Sequence, residues 1–181
     1  LADLVSFGMA PALVMYHWAL SNLQFDGAVA GKVGWAAAFL YAACAALRLA
    51  RFNTQVGVVD KRWFIGLASP AAAAVMMSFI WTLDARYNLS GSQARWVALG
   101  VTVVAGLMMV SRVRYYSFKS LPFGGRVPFV TVLLALGLLV LLAIDTARVL
   151  LAGSALYLLS GPVSWAWARM RRGRTPPVAP G

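Results

Sequence analysis

The chain has no glutamate, one cysteine, one histidine and five aspartates in 181 residues. The lone Cys44 lies in an apolar run, which excludes a disulfide framework and a thiolate metal site and leaves a small buried residue as its reading. His17, with no second histidine, is read as structural or interfacial rather than as a metal ligand. Carboxylate chemistry has only Asp3, Asp26, Asp60, Asp84 and Asp145 to draw on. No polar stretch is long enough for a separate soluble domain. No basic segment followed by a short apolar run and a cleavage site opens the chain, so no signal peptide accounts for Leu1, and the expectation is a fragment with a missing N-terminal part.

What is abundant is apolar. Hydrophobic residues make up 61% and charged residues 12%, and mean hydropathy is +0.76, a composition outside the range of ordinary soluble domains. The fold class expected is all-α: a polytopic membrane bundle of six transmembrane helices. These are placed at Leu1 to Leu20, Val33 to Leu49, Trp63 to Leu83, Trp96 to Val110, Val127 to Ile144 and Val149 to Ala168. Residues 1–168 form the transmembrane domain. Residues 169–181 form a basic, proline-rich cytoplasmic tail with no catalytic role.

The formal charge of +11 is distributed unevenly. If Asp3 faces the cytoplasm, that side carries Arg48, Arg51, Lys61, Arg62, Arg112, Arg114, Lys119, Arg126, Arg169, Arg171, Arg172 and Arg174, twelve in all. The other side carries Lys32, Arg86, Arg95 and Arg148, four in all. Basic loops are retained on the cytoplasmic face, so the count supports that orientation. An anionic lipid or nucleotide partner would account for the same excess.

Asp3 is the one carboxylate inside an apolar run, and Ser6, Phe7 and Ala10 follow it at helical spacing. A carboxylate at that depth is costly and is usually retained for function. Arg48 and Arg51, three apart on one helical face, stand near Asn53 at the same end. Two guanidiniums there either snorkel to lipid head groups or hold a phosphate or carboxylate in fixed geometry. Ser111 to Lys119 supplies Arg112, Arg114, Tyr115 and Lys119, either a juxtamembrane basic and aromatic segment or a grip on phosphates. Gly66 to Pro70 and the alanines after it are read as packing. One carboxylate does not suffice for metal-assisted work on a pyrophosphate, and Asp60 is the only other acid on that side.

Together these stretches resemble the CDP-alcohol phosphatidyltransferase family, and within it the membrane-integral phosphatidylserine synthases. The family signature is D-G-x-x-A-R, eight residues, then G-x-x-x-D-x-x-x-D. Leu1 to Gly8 looks like its end, with Asp3 matching the final aspartate and the other three falling upstream of Leu1. Arg48-Leu49-Ala50-Arg51-Phe52-Asn53, Gly66 to Pro70 and Ser111 to Lys119 look like the blocks typical of phosphatidylserine synthases. The resemblance covers about Leu1 to Phe123.

It implies transfer of a phosphatidyl group from CDP-diacylglycerol to L-serine with release of CMP. It implies Mg²⁺ or Mn²⁺ on four aspartates, with Asp3 as metal ligand and general base. Arg48, Arg51 and Asn53 would then recognise the serine carboxylate or a phosphate, and Arg112, Arg114, Tyr115 and Lys119 the lipid donor. The partners expected are CDP-diacylglycerol, L-serine and membrane lipids, with no nucleic acid, and a homodimer is compatible. The location expected is the inner cell membrane, multi-pass, with the site at the cytoplasmic face. Because three signature aspartates are absent from it, the fragment by itself is expected to be inactive. A sister enzyme using another alcohol or an archaeal-type lipid donor is the alternative, and a transporter or non-catalytic membrane protein stands behind it.

Overall fold

The computed structural model describes residues 1–55, 63–111, 113–116 and 129–172. Six helices follow one another: α1 (Ala2–Asp26), α2 (Ala28–Gln55), α3 (Ser69–Trp81), α4 (Gly91–Val110), α5 (Phe129–Ile144) and α6 (Thr146–Arg172). Four of them, α1, α2, α4 and α6, contain stretches long and apolar enough to cross a membrane. α5 is shorter, and α3 is prolonged by a π turn over Thr82–Arg86. Two short strands, β1 (Trp63–Ile65) and β2 (Arg114–Tyr116), pair antiparallel.

α1 is not uniform. A π turn over Val5–Met9 precedes an α-helical stretch over Ala10–Trp18, and a 3₁₀ segment over Leu20–Asp26 closes the element. Pro11 explains the irregularity: it has no N–H for the Phe7 carbonyl four residues back, and its ring crowds that carbonyl. The Tyr41 hydroxyl of α2 supplies the missing donor, 3.0 Å from the Phe7 oxygen. Gly27 (φ 129°) then turns the chain into α2.

Helices in lipid gain little from the hydrophobic effect on one another, so they associate where small side chains let backbones approach. α2 meets its neighbours through buried Ala37, Ala38, Tyr41, Cys44 and Ala45. α4 answers with Ala94, Ala98, Thr102, Ala105 and Met109, a stripe at helical spacing. α3 packs on α1, α4 and α6, and α5 packs on α6. Large apolar side chains such as Trp35, Phe39, Leu47 and Leu107 point outward, as expected of a surface whose solvent is lipid. α5 buries none of its residues.

The third segment differs from the sequence expectation of a helix from Trp63. Residues Trp63 to Ile65 are strand, and the helix begins only at Ser69. Gly66, at φ 84°, turns out of the strand, and its N–H donates to the Val113 carbonyl at 2.8 Å. The Leu67 N–H donates to the Met108 carbonyl at 3.0 Å. Pro70 lies in the first turn of α3, where amides lack helical partners anyway. α2 also begins earlier than expected, at Ala28, because the Gly27 turn and not the charge of Lys32 sets its start.

The two ends of the bundle differ in charge pairing. At the end reached by Trp18, Asp26 takes both Nε and Nη2 of Arg95 at 2.6 Å, and the Trp18 indole N–H donates to Asp84 at 3.2 Å. Asp145 pairs with Arg148 at 3.4 Å and Arg86 at 3.7 Å. Asp145 also accepts the Arg148 backbone N–H at 3.2 Å, which caps the first turn of α6. Three of the chain's five acids are thus engaged at this end. Asp3 is at the other.

Candidate functional site

The site is built at the end where α1 begins. A Cβ on Gly8 would stand 3.0 Å from the Ala45 Cβ, which fixes the level at which α1 and the antiparallel α2 cross. From that crossing, Asp3 lies about 7 Å along α1 and Arg48 about 5 Å along α2 toward the same end, at the helical rise of about 1.5 Å per residue. Asp3 is exposed.

Arg48 does not run out to the surface. Its Nη1 donates to the Ser69 hydroxyl at 2.9 Å, joining α2 to the first turn of α3. Among the described residues its Nε is buried without a hydrogen-bond partner. Arg51 is half-buried one turn further along α2.

The β1–β2 ladder closes this end of the molecule. Trp63 faces Tyr116, Phe64 faces Tyr115 and Ile65 faces Arg114 in register. The segments around Gly66 and after Ser111, which are far apart in sequence, are therefore hydrogen-bonded neighbours. β2 also contacts α6. Between α1 and α3 an apolar groove of about 320 Å³ runs from Ser6 and Pro70 to Val14 and Met77. Its small lining residues, Ala10, Ala73 and Ala74, leave the space open.

Of the residues singled out from sequence, Asp3, Arg48 and Arg51 come to one end of the bundle. Arg114 and Tyr115 are placed there by their backbone, in β2. Asn53 lies in the last turn of α2, with its side chain outside the described part. Arg112 and Lys119 lie outside the described residues. Sequence reasoning missed Tyr41 and Ser69 as polar partners. Only Tyr41 left a signal, through the orphaned Phe7 carbonyl that Pro11 implies. Among the described residues no group of three or more His, Cys, Asp or Glu side chains converges to hold a metal ion.

No protein-family model matches the chain. It is 33% identical over 165 residues to the CDP-diacylglycerol–serine O-phosphatidyltransferase of Helicobacter pylori strain J99, covering 91% of this chain and 65% of that protein. The protein of the same name from Methanocaldococcus jannaschii is 31% identical over 120 residues, 66% of this chain and 48% of its own length. That of Bacillus subtilis is 32% identical over 118 residues, 65% of this chain and 56% of its own length. The chain thus spans just under two thirds of the Helicobacter relative's length. It is homologous over most of its own length to CDP-diacylglycerol–serine O-phosphatidyltransferases, which is consistent with the CDP-alcohol phosphatidyltransferase family.

Proposed function

We propose that the protein containing this chain transfers the phosphatidyl group of CDP-diacylglycerol to L-serine and releases CMP, at the cytoplasmic face of the inner cell membrane. The observation that carries this reading is the gathering at one end of Asp3, Arg48 and Arg51 with the strand pair bearing Arg114 and Tyr115. The names of the relatives supply the substrates. In the reaction the serine hydroxyl oxygen forms a bond to the phosphatidyl phosphorus, and the bond from that phosphorus to the CMP oxygen breaks. Asp3 takes the hydroxyl proton, and CMP leaves with the bridging oxygen. In this reading Arg48, Arg51 and Asn53 recognise the serine carboxylate or a phosphate, and Arg112, Arg114, Tyr115 and Lys119 the lipid donor. The apolar groove beside Ser6 has the chemistry of an acyl chain's surroundings.

Divalent-cation dependence, on Mg²⁺ or Mn²⁺, is part of the proposal. A single exposed carboxylate does not build a two-ion site, so the described residues do not fit the group by themselves.

The test uses the full-length protein with CDP-diacylglycerol and labelled serine, glycerol 3-phosphate or inositol, scoring CMP release. Serine-dependent release that Asp3→Asn lowers at least about a hundredfold, the lower range for loss of a general base, is the expected result. CMP released only with another alcohol would transfer the reading to a sister enzyme, and none with any alcohol would end it. Arg51→Ala should raise the Michaelis constant for serine. An unchanged constant and turnover would remove Arg51 from the site.

A further inference from the structure

Arg48 offers more than positive charge. A guanidinium grips a carboxylate best along the edge formed by Nε and Nη2, where two parallel N–H groups meet two oxygens. In this protein the opposite nitrogen, Nη1, is tied to Ser69 at 2.9 Å. That bond orients the plane of the group and leaves the Nε edge uncommitted to Ser69. Nε is also shielded from solvent, with no partner among the described residues. A buried donor in that condition has lost its water without replacement, a debit that an anionic oxygen would remove. An arginine that merely snorkelled to head groups would extend toward the interface and keep its Nε wet. Arg48 instead turns sideways into the first turn of α3.

We propose that Ser69 is a positioning residue for the acceptor: it holds the Arg48 guanidinium so that its Nε edge receives the carboxylate of an amino-acid alcohol. The inference rests on the serine reading above. It adds the residue that turns a generic cation into a carboxylate-selective one. Selection follows from geometry, because an alcohol lacking the carboxylate leaves the fixed edge unpaired.

The experiment measures kcat and KM for serine and for CDP-diacylglycerol in the full-length protein. Ser69→Ala is expected to raise the serine KM about tenfold, as for loss of one hydrogen bond to a charged group, with kcat within about twofold and the donor KM unchanged. Ser78→Ala is the control. Ser78 is a buried serine of α3 whose hydroxyl lies 3.3 Å from the Ser154 hydroxyl, away from Arg48, and its loss should leave both constants alone. Arg48→Lys keeps the charge but loses the two-pronged edge, and should narrow the preference for serine over ethanolamine by about tenfold or more.

A raised donor KM with an unchanged serine KM would overturn the proposal by placing Arg48 on the lipid's phosphates. Equal losses in Ser69→Ala and Ser78→Ala would overturn it by making Ser69 structural. If Ser69→Ala fails to accumulate, Ser69→Thr decides: retention of the wild-type serine KM supports the hydroxyl's role, and a raised one opposes it. Wild-type protein that uses another alcohol and ignores serine would instead defeat the parent reading, a result visible before any variant is made.

Discussion

Pro11, Phe7 and Tyr41 show how a single residue type propagates. Proline at position 11 removes the donor for the Phe7 carbonyl, the helix widens into a π turn, and a fully buried tyrosine 34 positions away fills the vacancy. Tyr41→Phe should therefore destabilise the protein by about 1–2 kcal/mol, the range for a buried acceptor left unpaired. The same change in a Pro11→Ala background should be milder, because alanine at that position brings its own N–H to the carbonyl. Thermal unfolding of the four proteins in detergent gives the coupling directly. Additive effects would show that Tyr41 acts by packing instead. The proline is visible in the sequence. Its compensating hydroxyl is not, because nothing local links positions 7 and 41.

At the scale of elements, the third helix is the instructive case. Hydropathy runs unbroken from Trp63 through the alanines, so period and length favour one helix. Tertiary contact wins: the backbone of residues 63–65 finds a partner strand at Arg114–Tyr116, and Gly66 carries the turn. A Cβ at Gly66 would run into the Met109 carbonyl oxygen. Gly66→Ala should thus cost more than the ~1–2 kcal/mol of a left-handed alanine alone. Loss of thermal stability together with loss of the proposed serine transfer is the expected outcome, since the strand pair closes the end where the site is proposed. Wild-type stability would show that the turn relaxes freely.

At the scale of the whole molecule, charge is sorted by end. Asp26, Asp84 and Asp145 are engaged with Arg95, Trp18, Arg86 and Arg148 at one pole, while Asp3 and Arg48 lie at the other. This sorting yields an orientation that labelling can test. In a Cys44→Ala background, Ser90→Cys should react with a membrane-impermeant thiol reagent applied to intact cells, and Thr175→Cys only after permeabilisation. The reverse pattern would invert the bundle and move the proposed site outside. The half-buried Asp26 and Arg95 pair should contribute little, about 1 kcal/mol or less in a double-mutant cycle, because its work is to neutralise rather than to grip.

Composition, hydropathy and the distribution of arginine by themselves determined that the chain is a helical membrane bundle. They also determined which of its ends is basic and that Asp3, Arg48 and Arg51 share that end. These properties follow from periodicity and solvent preference, which each stretch carries locally. Only the tertiary structure decided that residues around Gly66 and Val113 bond to each other, that Tyr41 serves Phe7, and that Ser69 meets Arg48. Such contacts depend on the rotation and offset of whole helices. Those are set by where small residues let backbones meet, as at Gly8 and Ala45, and by no single stretch of sequence.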